Sequence, residues 1–218
     1  MTRTTAVLLA AGAGTRLGLG PKALLPYRGG TLLAHAARQL LAGGCTQVVV
    51  VVGAGAAEVR AAPLPPGCRY VENPHWRDGM GSSFAAGMAA AGISAAGGGP
   101  VLVALVDQPG ICAELVARLI ARHQPGRITA AGYSSMIDAE GSGTLRRGNP
   151  VLFSPEHAGV AAASATGDSG AREYLAGHRD QVDVVDCTDL GDGADVDTPA
   201  DLHLLEAPAP AQRPPAAD

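Results

Sequence analysis

Apolar and polar positions fall in alternating blocks along the first half of the chain. "TAVLLA" (5–10) and "QVVVVVG" (47–53) are near-continuous apolar runs, the pattern of strands buried on both faces of a parallel sheet. Between them, "TLLAHAARQLLAGG" (31–44) places apolar residues at helical spacing and ends on glycines, which predicts a helix. Residues 55–62 predict a short helix and "CRYVENP" (68–74) a third strand running into a turn. "GMGSSFAAGMAAAG" (79–92) predicts a loop entering a helix, with Ser82 or Ser83 as N-cap. "PVLVALVD" (100–107) reads as a fourth buried strand and "CAELVARLIARH" (112–123) as an amphipathic helix. Four β–α alternations call for an α/β fold with an open, mostly parallel sheet and helices on both faces.

The second half is less regular. "RITAAGYS" (127–134) and "NPVLFS" (149–154) predict strands on either side of the polar "MIDAEGSGTLRRG" (136–148), a hairpin-like excursion from the sheet. Helices are expected over 155–162 and 168–177, then a strand, "VDVVDC" (182–187). "DVDTPADLHLLE" (195–206) predicts a turn into a last helix, with Thr198 as N-cap and Pro199 at its first position. The Pro/Ala segment 207–218 has almost nothing to bury and is expected to be disordered or polyproline-like. The length suits one domain over 1–206, without internal repeats.

Composition narrows the class. At 47% hydrophobic the chain is globular, and at 3% aromatic its core must be built from Val, Leu, Ala and Ile. A net charge of -4 without a basic tract argues against a nucleic-acid partner. Cys45, Cys68, Cys112 and Cys187 form no C-x-x-C pair and read as small core residues of a reducing compartment. The N-terminus lacks the long apolar region of a signal peptide, and no stretch is apolar enough to span a bilayer, so the expectation is a cytoplasmic protein without membrane partners.

Chemistry concentrates in "LLAAGAGTRLGLGPKALL" (8–25). Gly12, Gly14 and Gly18 are spaced one residue too long for a dinucleotide fingerprint, and no acid ends the second strand. That spacing disfavours an NAD(P) oxidoreductase. Lys22 arrives too late for a P-loop. What remains is a glycine turn able to aim backbone N–H groups at an anion, with Arg16 able to fork onto phosphate and Lys22 as a point charge. Asp107 ends a buried strand at the edge where open α/β sheets bind ligands; it reads as a Mg²⁺ ligand or as a cap of the next helix. Asp195 and Asp197 share one side of an extended segment, and capping of the last helix is the alternative for either.

Together with "NPHWRDGMGSSFAAGM", "LVDQPGI", "RGNPVLFS", "GDSGAR" and "DVDTPADL", the loop resembles the MobA-like nucleotidyltransferases, and most nearly their molybdenum-cofactor cytidylyltransferases. The resemblance runs to about Glu206 and implies a three-layer, Rossmann-like, GT-A-like sheet fold. It implies that 1–110 hold an NTP and 111–206 a phosphorylated acceptor. Leu9-Ala10-Ala11-Gly12 and Asp107-Gln108-Pro109 are similar to the branch that uses CTP. By resemblance, Arg16, Lys22 and Asp107 are catalytic. Leu9, Ala10, Ala11, Gly12, Ala13, Gly14, Thr15, Arg16, Lys22, Gly81, Ser82, Ser83, Asp107 and Gln108 bind the nucleotide. Asn149, Pro150, Gly167, Asp168 and Arg172 face the acceptor, with Arg146 and Arg147 as further cations there. Asp107, Asp197 and Asp195 hold Mg²⁺, with Mn²⁺ as the alternative. The implied reaction is transfer of CMP from CTP to molybdopterin by a monomer, with a molybdoenzyme or chaperone as protein partner. A sugar phosphate or phospholactate as acceptor, and a non-catalytic cofactor-delivery role, are the competing readings.

Overall fold

Val48 to Val52 are fully buried, and successive side chains of an extended strand point to opposite faces. Val48, Val50 and Val52 therefore join one core with Leu8, Leu33 and Leu40, whereas Val49 and Val51 join a second with Val7, Phe84 and Phe153. One strand thus supplies both layers on either side of the sheet. The computed structural model describes residues 3–92, 98–134 and 145–206.

The strands are β1 (Thr5–Ala10), β2 (Pro26–Tyr27), β3 (Gly30–Thr31), β4 (Gln47–Val52), β5 (Cys68–Glu72), β6 (Val101–Leu105), β7 (Ile128–Ser134), β8 (Leu145–Phe153) and β9 (Val182–Asp186). The α-helices are α1 (Leu32–Ala42), α2 (Ala56–Ala61), α3 (Met80–Ala90), α4 (Ala113–Arg122), α5 (Pro155–Ser164) and α6 (Arg172–Gly177). Seven strands form the main sheet in the order β5-β4-β1-β6-β8-β7-β9, and β2 and β3 make a separate two-stranded ladder. All main-sheet pairs are parallel except those of β8, which runs antiparallel to both β6 and β7. The expected mostly parallel α/β sheet with helices on both faces is the fold observed.

Two local expectations are corrected. Ser82 and Ser83 lie inside the first turn of α3, and its N-cap is Gly79. Gly79 has φ +104, a conformation few L-residues adopt, and a Cβ there would strike the Gly167 carbonyl. The last helix is a 3-10 helix, Pro199–Leu205, with Thr198 and Pro199 at the expected positions. Of the expected excursion, residues 145–148 are part of β8; the rest of it lies outside the described residues, as does the Pro/Ala tail 207–218.

This topology creates the site. β4 lies on one side of β1 and β6 on the other, so the connections leaving the carboxyl ends of β1 and β6 diverge and leave a crevice. A small third core of Leu17, Leu25, Tyr27, Leu32 and Val196, backed by Leu202, Leu204 and Leu205, joins the glycine loop to the last segment.

Helix α3 lies close on the sheet through Gly87, where a Cβ would run into Val7 and come within 2.8 Å of Val51 Cγ2. Both neighbours are stiff β-branched side chains of a closed core. Gly87→Ala is expected to destabilise the fold, since overpacking of about 1–3 kcal/mol exceeds the gain in helix propensity of roughly 1 kcal/mol. Urea denaturation checks this through a lowered midpoint at unchanged slope.

Candidate active site

The segment after β1 folds back on itself. Leu17 N–H and Gly18 N–H donate to the Gly14 carbonyl at 3.2 and 3.0 Å. Gly14 has φ +64, and a Cβ there would collide with the Gly20 carbonyl. The chain then passes Pro21 into a single 3-10 turn, Lys22–Leu24, which aims Lys22 back under the loop. Val106 N–H donates to the Leu9 carbonyl at 3.1 Å, setting Asp107 beside the loop's origin. Val196 N–H donates to the Asp107 carbonyl at 2.8 Å and so delivers Asp197 to the same place.

Three side chains from these segments meet. Lys22 Nζ donates to Asp107 Oδ2 at 2.9 Å and to Asp197 Oδ1 at 2.6 Å. Arg16 pairs with the other oxygen of Asp197. Burial pulls the Lys22 pKa down, but hydrogen bonds and charge from Asp197 and Asp107 outweigh it and leave the ammonium raised. The Lys22 hydrogen bond holds the Asp197 carboxyl below its ordinary range, against a smaller opposing effect of burial, and Arg16 adds to the lowering. The Lys22 side chain is 13% exposed and that of Arg16 75%, so Lys22 is enclosed while Arg16 stands at the surface. Neither aspartate caps a helix. The N-cap of α4 is Cys112, and Thr198 caps the final 3-10 helix. Asp201, not Asp197, accepts the amide protons of Asp197 and Thr198 at 3.1 and 2.8 Å.

These groups line a cleft of about 660 Å³. Of the residues expected at the nucleotide, Leu9, Ala11, Gly12, Ala13, Gly14, Thr15, Arg16, Lys22, Ser83 and Asp107 line it. Ala10 points into the core on the other face. Gln108 is buried and donates to the Gly193 carbonyl at 3.1 Å and to Asp195 Oδ1 at 2.7 Å. Asp195 is thereby turned onto Gln108 rather than Lys22. Burial, then the Asp107 charge, raises its pKa. Ser82 Oγ lies within hydrogen-bonding distance of the His75 and Gly79 carbonyls, and Asn73 Nδ2 donates to Ser82 and Ser83, so these side chains brace the turn over 75–79. Gly81 packs against the Thr166 backbone.

On the expected acceptor side, Asp168 reaches the cleft because Gly79 lets Gly167 and Asp168 approach. Asn149 and Pro150 line a separate small cavity with Gln108 and Tyr133, whose hydroxyl donates to the Asn149 carbonyl at 2.8 Å. Arg172 opens α6 on the surface, and Arg146 and Arg147 lie in β8. Sequence reasoning missed Trp76, Arg77 and Met80 as lining residues. The available signal was a lone tryptophan just past a strand end in an aromatic-poor chain.

Among the described residues, no group of three or more His, Cys, Asp or Glu side chains is arranged to hold a metal. The Asp107 and Asp197 carboxylates nevertheless converge on one Nζ. Two hard oxygen donors at one point fit Mg²⁺ or Mn²⁺, which take few protein ligands and fill their remaining positions with phosphate oxygens and water.

A family model for the MobA-like NTP transferase domain matches residues 6–182. The nicotine blue oxidoreductase of Paenarthrobacter nicotinovorans is 49% identical over 202 residues, 92% of this chain and 95% of that protein. The crystal structure of Rv0371c from Mycobacterium tuberculosis H37Rv is 30% identical with a TM-score of 0.72, covering 94% of this chain and 98% of that one. A structure of Rv0371C in complex with manganese is 29% identical with a TM-score of 0.67 over the same shares, 94% and 98%. A nucleotidyl transferase from Methanothermobacter thermautotroptrophicus (Mth528) shares the fold at 23% identity, with a TM-score of 0.74 over 93% of this chain and 96% of that one.

The Asp195 environment gives a signed expectation. A carboxyl whose folded pKa is raised weakens the fold above that pKa, and the loss is recovered as pH falls through it. Asp195→Asn keeps an acceptor for Gln108 and removes the charge. The variant should be the more stable at neutral pH, with the difference closing on acidification through the carboxylate range. Denaturant unfolding of both proteins across that range is the measurement.

Proposed function

The chain belongs to the MobA-like NTP transferase family, and from that premise we propose that it transfers CMP from CTP to the terminal phosphate of a molybdopterin-type acceptor and releases pyrophosphate. The observation that carries the reading is the Lys22 ammonium held between Asp107 and Asp197 beneath the glycine loop. A largely buried cation and two hard-donor carboxylates there meet beside a glycine turn. CTP as donor rests on the likeness of Leu9-Ala10-Ala11-Gly12 and Asp107-Gln108-Pro109 to the cytidylyl-transferring branch.

In this reading an oxygen of the acceptor phosphate attacks the α-phosphorus of CTP. A new P–O bond forms as the bond to the β-phosphate oxygen breaks, and pyrophosphate leaves. No side chain needs to act as a covalent nucleophile; positioning and charge neutralisation suffice. Backbone N–H groups of 12–16 receive the triphosphate. Arg16, already at the surface, folds over it. Lys22 exchanges a carboxylate partner for the phosphate oxygens that gain charge. Asp107 and Asp197 would hold Mg²⁺ or Mn²⁺, which supplies further neutralisation of phosphate charge when bound. Residues 1–110 would serve the nucleotide and 111–206 the acceptor, through Asn149, Pro150, Gly167, Asp168 and Arg172. Cytoplasmic location, a monomeric state and a receiving molybdoenzyme or chaperone complete the proposal. Among the described residues, no helix is long and apolar enough to cross a membrane.

The 49% identity to a nicotine blue oxidoreductase supports a second reading, in which the reaction is a redox one; its cofactor would be the nicotinamide dinucleotide that the glycine spacing disfavours. The two separate cleanly. CTP and GTP are assayed with Mg²⁺ or Mn²⁺ against molybdopterin, a sugar phosphate and phospholactate, scored by pyrophosphate release. In parallel, nicotinamide cofactor oxidation is followed with nicotine blue. CTP with molybdopterin should give the highest pyrophosphate release, and chelating the divalent cation should stop it. Lys22→Ala and Asp107→Ala should each lower turnover by roughly a hundredfold to a thousandfold; near-normal turnover in either variant would overturn the roles assigned here. Nicotinamide oxidation without pyrophosphate release would establish the second reading. Tight cofactor binding with neither activity would establish a delivery protein.

A further inference from the structure

Arg16, Lys22 and Arg77 are the cations that line the cleft among the described residues. The first two are neutralised by carboxylates. Arg16 pairs with Asp197, and Lys22 with Asp197 and Asp107. Arg77 differs. Among the described residues no carboxylate forms an ion pair with it; the neighbouring Asp78 lies 3.8 Å from His75 Nδ1, an ion pair only when that imidazole carries a proton. The Arg77 guanidinium lies 4.4 Å from the centre of the Trp76 ring, where the ring's electron-rich face attracts a cation without neutralising it. Trp76 is itself partly buried against the core, and it lies close on Gly53, where a Cβ would come within 2.6 Å of Trp76 Cβ. Asn73 and Ser82 hold the turn on which both residues sit.

We propose that Arg77, held on the Trp76 ring, is the group that first captures the nucleotide's polyphosphate and fixes its position in the cleft. The inference rests on the reading of this cleft as a nucleotide site and adds to it a lining residue from the turn after β5. An entering polyanion meets a guanidinium with no carboxylate partner among the described residues, in a cleft that the Asp168 carboxylate also lines, and its planar fork suits phosphate oxygens. The loop cations engage only when they change partners. Arg77 is a binding residue for the phosphates and does not touch the bonds that form or break.

Inorganic pyrophosphate is the probe. Calorimetric titration of the full chain measures its affinity, and Trp76, the chain's one tryptophan, reports the location by fluorescence. Pyrophosphate should bind and change the Trp76 emission. Arg77→Gln should weaken binding about tenfold or more, as expected for one charge-assisted hydrogen bond, with Arg77→Lys in between. CTP at saturation should abolish pyrophosphate binding. The proposal is overturned if Arg77→Gln binds pyrophosphate as the parent does, or if binding leaves the Trp76 emission unchanged. It is equally overturned if binding survives CTP but yields to glycerol phosphate, which would assign Arg77 to the acceptor. Failure of the nucleotidyl-transfer reading looks different: no NTP would release pyrophosphate, while the Arg77-dependent binding of added pyrophosphate would remain.

Discussion

The Lys22 ammonium joins parts of the chain that are 85 and 175 residues apart in sequence. It draws together the loop after β1, the end of β6 and the segment after β9. Without it, the Asp107 and Asp197 carboxylates would face each other at the mouth of a crevice, and like charges at that range repel strongly. The surrounding structure serves this meeting. The Val196 amide fastens the last segment to the Asp107 carbonyl. The small core around Leu17, Leu32 and Val196 keeps the loop and that segment at a fixed separation.

A second constraint comes from how little aromatic bulk the chain has. With 3% aromatic residues, the layers are held by Val, Leu and Ala, and they pack only if they come close. Glycines allow it where layers touch. Gly43 of the α1 end lies against Val116 of α4, and Gly53 at the end of β4 admits Trp76. The second of these contacts also shapes a wall of the cleft, so packing and site geometry are set by the same residue.

Much of this was legible in the sequence, and for identifiable reasons. Buried parallel strands leave long apolar runs such as "QVVVVV", and α1 carries both its apolar period and its closing glycine in plain view. Arg16, Lys22 and Asp107 stood out because charges beside a glycine turn or at the end of a buried strand need a reason to be there. Three features were hidden. The cap of α3 reads as a serine, although Gly79 holds it at a positive φ, close against Gly167. The antiparallel entry of β8 between β6 and β7 leaves no mark on local periodicity, because strand direction is decided by tertiary pairing. Trp76 and Arg77 sit in a polar turn that reads as punctuation until β5 and Gly53 carry it to the cleft.

The odd spacing of the glycine loop has a cause that lies in the loop itself. Gly14 carries the Leu17 and Gly18 hydrogen bonds on its carbonyl and leaves no space for a Cβ against Gly20. The curl therefore closes on its own backbone, and its length is counted by self-contact. Adding or removing one residue between Gly14 and Gly20 would unseat the curl and move Lys22 off its two carboxylates together. The interval from Gly12 to Lys22 thus behaves as a ruler cut to the loop's own closure, so its ordering entropy is spent once, at folding, and not again at each encounter with a ligand.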